Sequence, residues 1–162
     1  MEKMTDNEKI VAFRQECRRY LDFRDKIDDI DKRLVMLKIK MENVHSPSFE
    51  KVGSSPSRRE RPVTEMIEKK TELENRKAYY QRRMKWIIDT IELVPSPAYK
   101  ALLWMTYIQC NSTENVSRIF DVSAGHMNHI RRKYLLQILT DQKLAEMKAL
   151  QDEEPKYKHI IV

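Results

Sequence analysis

The chain has 162 residues, enough for one domain or for a small domain joined to an extended element. Two Gly and six Pro leave too few breakers for the tight turns of a many-stranded protein, and 35% charged residues, mixed in sign between heptad-spaced apolar ones, read as long helices. The net charge of +6 is uneven: residues 51–85 carry 11 basic side chains against 5 acidic and residues 111–139 carry 4 against 2, which suits a polyanionic partner, while residues 1–50 balance at 11 and 11.

The N-terminal MEKMTDNEK has no apolar signal core. No stretch approaches the roughly 18 apolar residues of a membrane span. Cys17 and Cys110 make no disulfide framework and fit a reduced compartment. A soluble, cytoplasmic protein without a membrane partner is expected.

In chain order, Phe13, Tyr20, Ile27, Leu34 and Met41 recur every seven residues, and Phe23, Ile30, Leu37 and Val44 form a second series. Two such series are the seam of a coiled coil. They predict one helix from about Thr5 to Val44, on the order of 60 Å long at 1.5 Å per residue. The run from His45 to Pro62 holds three Pro, five Ser and Gly53, and reads as a flexible linker at about 45–62. A second long helix is predicted from about Val63 to Leu93, with Thr64 as its N-cap. Met66, Leu73, Tyr80, Ile87 and Val94 share its seam, and Lys70 and Lys77 interrupt the partner series. The two helices either fold back antiparallel within one chain or pair between chains; periodicity does not choose. Pro95-Ser96-Pro97 ends this segment. Helices are then predicted over Pro97–Gln109, Thr113–Phe120 and Ala124–Leu150, before a polar tail from Asp152. The expected architecture is all-α: a long antiparallel helical hairpin or coiled coil over residues 1–94, a helix-turn-helix module over 95–151, and a tail over 152–162.

Residues Ala101 to Leu139 meet the mechanical demands of a helix-turn-helix in order. Ser117 is small enough for a close helix crossing. Asp121 can adopt the left-handed backbone of the turn. Val122 closes the core beneath the turn, and Ser123 caps the second helix. Met127, Ile130 and Tyr134 fall on one face of that helix. Gly125, His126, Asn128, His129, Arg131 and Arg132 fall on the other, with Lys133 nearby. Arg and Asn offer bidentate hydrogen bonds to guanine and adenine edges in a major groove. Ser112, Thr113 and Arg118 are placed to meet phosphates, and Ser112 or Thr113 caps the first helix.

This stretch resembles the fourth region of bacterial sigma factors, and in particular the phage late-gene transcriptional regulators of the ArpU and RinA type. The preceding YKALLWMTYI is similar to a helix of those regulators. The resemblance covers about forty residues. It implies a phage or prophage protein that binds double-stranded DNA and regulates transcription, most simply as an activator. It also implies a nucleoid-associated place in a bacterial host, with RNA polymerase as a further partner. A single reading helix spans few base pairs, so a homodimer or higher homo-oligomer is expected.

Other chemistry finds less support. His126 and His129 have metal-ligand spacing, but a third and fourth zinc ligand are not evident beyond Cys110. No P-loop, dinucleotide fingerprint or nucleophile elbow occurs. No metal, cofactor or enzymatic activity is expected. Asp28, Asp29 and Asp31 read as a solvated face. Tyr79, Tyr80 and Trp86, interleaved with Arg82, Arg83 and Lys85, form a candidate stacking platform for single-stranded nucleic acid, although Tyr80 lies on the seam and reads as core. Two alternatives to a DNA-reading regulator stay open: a coiled-coil module that binds polymerase or another phage protein, and a DNA-packaging protein like a terminase small subunit.

Overall fold

The computed structural model of the chain describes residues 3–44 and 56–155. The described residues are helical, with no strand among them. The elements are α1 (Asp6–Arg18), α2 (Tyr20–Val44), α3 (Pro56–Glu92), α4 (Pro97–Leu103), which runs on into a π-helical turn (Trp104–Ile108), α5 (Thr113–Phe120), α6 (Ala124–Ile138) and α7 (Asp141–Asp152). They form two compact units. The first joins Met1–Phe23 to Arg82–Glu154, and the second is built on Arg24–Gln81.

The helix starts follow from local hydrogen-bond supply, because the first N–H groups of a helix have no partner within it. Thr5 accepts from the Glu8 N–H at 3.2 Å, and its hydroxyl donates to the Glu8 carboxylate at 3.1 Å. Ser112, Ser123 and Thr140 cap α5, α6 and α7 in the same way. Thr140 is a good cap residue, although helical spacing alone predicts one helix running through it to Leu150. The chain instead breaks at Leu139 (φ −85°, ψ 71°), where the Thr140 N–H bonds the Ile138 carbonyl at 3.0 Å in an inverse γ-turn. That turn lets α7 leave the line of α6 and bring Leu144 and Met147 into the core.

The expected single helix over Thr5–Val44 is also interrupted. Arg19 (φ −82°, ψ −8°) donates to the Glu16 carbonyl three residues back, ending α1 before α2 begins. No Gly or Pro marks the site. Just before the break, Ile10, Phe13, Glu16 and Cys17 are all buried. Thr64 does not cap the second long helix, because α3 starts eight residues earlier at Pro56. Of the expected 45–62 linker, residues 45–55 lie outside the described residues and 56–62 belong to α3. The tail beyond residue 155 also lies outside them.

The first unit has the larger core. Phe13, Ile87, Leu102, Val116, Met127 and Leu135 are exposed by 1% or less. Each such side chain contributes on the order of 1.5–3 kcal/mol by leaving water. The Phe13 ring meets Trp86 at 6.0 Å and Tyr107 edge-on at 5.8 Å, so α1, α3 and the π-helical turn share one aromatic centre. Beside it lies a buried ion pair. Arg83 donates from Nε and Nη2 to the two Glu16 carboxylate oxygens at 2.9 and 2.7 Å. Gln151 of α7 adds a hydrogen bond at 2.9 Å, and the Phe23 ring lies 4.6 Å from the guanidinium. A boundary at residue 94 therefore does not separate this unit: α1 and the C-terminal end of α3 belong to the same core as α4–α7.

In the second unit, Ile30 and Leu37 of α2 and Leu73 and Tyr80 of α3 are buried. Lys77 Nζ donates to Asp31 at 2.7 Å, and Lys26 lies 5.3 Å from the centre of the Tyr80 ring. Partners thus descend along α3 as they ascend along α2. The polar seam residue Lys77 gains a partner there. Asp29 pairs with Arg33 at 2.8 Å, which accounts for two of the three clustered aspartates as ion-pair members. Among the described residues, no helix is long and apolar enough to cross a membrane.

Candidate nucleic-acid interface

α5 and α6 are joined by three residues, Asp121, Val122 and Ser123. Asp121 adopts the left-handed conformation (φ 55°, ψ 47°). Its N–H bonds the Arg118 carbonyl at 3.3 Å, and the Val122 N–H reaches back to the Ser117 carbonyl at 3.0 Å. These two bonds are a Schellman closure, which satisfies the last carbonyls of α5 and reverses the chain sharply. Ser123 then accepts from the His126 N–H at 3.1 Å and starts α6. Ser117 folds its hydroxyl onto the Glu114 carbonyl at 2.9 Å, so this small side chain adds no unsatisfied polar group beside the crossing. Val116 and Met127 are fully buried at the contact of the two helices, and Ile130 follows on the same face.

Burial divides α6 by face. Met127, Ile130, Leu135 and Ile138 are buried. Gly125, His126, Asn128, His129, Arg132 and Lys133 are exposed, and Arg131 is half-buried. Tyr134 is half-buried against the Tyr99 ring at 4.6 Å, at the edge of the core rather than within it. A Cβ added to Gly125 would meet nothing within 4 Å, so open space lies over the start of the helix. α6 has no acidic residue from Ala124 to Ile138.

The cations on this face have neutral partners. Arg131 Nη2 donates to Thr113 Oγ1 at 3.2 Å and to the Asn128 side-chain oxygen. Arg132 donates to Asn7 at 2.8 Å, and Lys133 lies 5.8 Å from the Tyr134 ring centre. A neutral acceptor orients a guanidinium without cancelling its charge, so these groups remain available to an anion. Ser112 is occupied as the α5 cap, accepting from the Asn115 N–H at 3.1 Å; Thr113 and Arg118 follow on α5.

Next to Thr113, Asn128 and Arg131 lies an open polar cleft of about 490 Å³, whose wall also includes Arg14 and Arg18 of α1. Nothing in the sequence pattern singles out these two arginines. Their only signal is a four-residue spacing outside the heptad series, and more than eighty positions separate them from the Ala101–Leu139 stretch.

Other candidates resolve differently. Tyr79, Tyr80 and Trp86 are buried, exposed by 0%, 3% and 5%, and Arg83 is held by Glu16, so they present no stacking platform. Among the described residues, no three His, Cys, Asp or Glu side chains gather as metal ligands. Cys17 is buried, and desolvation, with the neighbouring Glu16 charge, pushes its thiol well above the usual range and keeps it protonated. Compared with known proteins, the chain matches no family model, no curated protein and no solved structure.

Proposed function

We propose that this chain is a sequence-specific binder of double-stranded DNA that regulates transcription through a sigma-like helix-turn-helix formed by α5 and α6. One observation carries the reading: the polar side of α6 joins exposed Asn128, Arg132 and Lys133 to half-buried Arg131 without a carboxylate, directly after a capped three-residue turn. A helix used only for packing has no need of such a face. A helix entering a major groove needs both the base-reading groups and the absence of negative charge. Ser112, Thr113 and Arg118 flank the groove as phosphate contacts, and Gly125 with His126 and His129 lies closest to the bases.

In this reading α2 and α3 form an antiparallel helical hairpin that serves assembly. The exposed apolar residues Val35, Met36 and Ile39 on α2, exposed by 46% to 58%, favour a protein contact there. A second copy of the chain or RNA polymerase is the partner proposed. The resemblance to phage late-gene regulators sets the biological setting of the proposal.

Selection of bound duplexes from a random library, at near-physiological salt, tests it. An enriched inverted repeat is expected, and Asn128→Ala should relax the preference at one position of each half-site. Binding with no enriched motif would reduce the interaction to phosphate attraction and defeat the reading.

A further inference from the structure

The cleft beside α6 is lined by three arginines and by no carboxylate: Arg14 and Arg18 come from α1 and Arg131 from α6, and Thr113 and Asn128 also line it. Several cations elsewhere among the described residues meet carboxylates, as in Lys9–Asp141, Lys77–Asp31 and Arg83–Glu16. The side chains of Arg14 and Arg18 have neither a hydrogen bond nor an ion pair with any described residue. They sit one turn apart on α1, where like charges repel. Arg131 adds a third positive charge, and its own partners, Thr113 and Asn128, are neutral. An arrangement of this kind is stabilised by an anion. Forked guanidinium donors match the paired oxygens of a phosphate or phosphodiester.

We propose that this cleft seats a backbone phosphate of the duplex whose groove receives α6, so that Arg14 and Arg18 extend the DNA interface onto α1. The inference rests on the duplex-binding reading. Its ground is continuity: Asn128, Arg131 and Thr113 belong both to the cleft and to the proposed DNA face, so a strand passing α6 has its sugar-phosphate edge beside α1. The role is positional. Phosphate contacts fix register and strengthen binding to every sequence alike, while base choice stays with α6.

The test compares the full chain with its Arg14→Ala/Arg18→Ala variant in duplex titrations over a range of salt concentrations, on the selected site and on a random duplex. Both arginines are exposed, so the variant should keep its circular dichroism and melting temperature. The slope of log K against log salt should become shallower by about 1 for each phosphate that the variant no longer neutralises, so by up to about 2. Affinity should fall by a similar factor, roughly tenfold or more, on both duplexes. Arg14→Lys/Arg18→Lys should keep most of the slope. If the alanine variant matches wild type in slope and affinity while both bind duplex, the cleft holds no backbone phosphate and the duplex reading survives alone. If wild type binds no duplex, both fall. Inorganic phosphate separates the other source of the same chemistry: saturable amide shifts at Thr113 and Asn128 with phosphate, without duplex binding, would assign the cleft to a free anion and overturn the proposal.

Discussion

The two units use one sequence pattern to different ends. Heptad positions run through both, yet Phe13, Ile87 and Val94 disappear into the first unit's many-helix core, while Ile27, Leu34 and Met41 of the second stay half-buried. Both units leave large apolar residues exposed, Val11, Leu93 and Ile119 in the first and Val35, Met36, Ile39 and Ile67 in the second. A seven-residue repeat specifies an apolar stripe. It does not specify how many neighbours the stripe meets. That number depends on what else the chain brings to the same place, here α4–α7 around α1 and the end of α3.

The largest effect that separates the units should come from the buried pair. Arg83→Ala leaves the Glu16 carboxylate in the core with only Gln151 beside it, and removing one partner of a buried pair costs about 3–5 kcal/mol. Chemical denaturation monitored at the tryptophans reports it; a loss below about 1 kcal/mol would mean that water already reaches the pair. Replacing both partners with apolar residues of similar size should recover much of the loss.

A paired truncation sharpens the contrast. Phe13→Ala should cost about 3–5 kcal/mol, because the aromatic centre it shares with Trp86 and Tyr107 closes poorly around the void. Leu37→Ala, in a seam between two helices, should cost nearer 2 kcal/mol, the low end for such truncations. Hydrogen exchange should place the Phe13→Ala loss across α4–α7 as well as α1. Protection lost in α1 alone would contradict a shared core.

The smallest effects should come from the caps. Ser112→Ala and Ser123→Ala should each cost about 1 kcal/mol in thermal unfolding. Neither change touches the second unit, so exchange within Arg24–Gln81 should be unaltered.

The bounds of α5 and the start of α6 are legible in the sequence because short-range chemistry dictates them: Ser112 and Ser123 as caps, and Asp121 as a residue able to turn left-handed. The division of α6 into apolar and polar faces follows from helical spacing. The break at Arg19 is not legible, since no residue there resists helix. Thr140 carries a signal that helical periodicity on either side of it outweighs. Tyr79 and Trp86 look like an exposed platform because alternation with arginine reads as surface; only the packing of α3 shows those rings to be buried. Arg14 and Arg18 are out of reach for a different reason. Their company with Asn128 and Arg131 exists only in three dimensions, and periodicity treats them as ordinary solvent-facing charges of a long helix.

The central claim is that the face of α6 meets DNA, and amide chemical-shift mapping with a selected duplex tests it most directly. A contiguous set of shifts over Gly125–Lys133 together with Ser112 and Thr113 is expected, with residues 24–81 undisturbed. Shifts confined to residues 24–81, or none at saturating duplex, would contradict it.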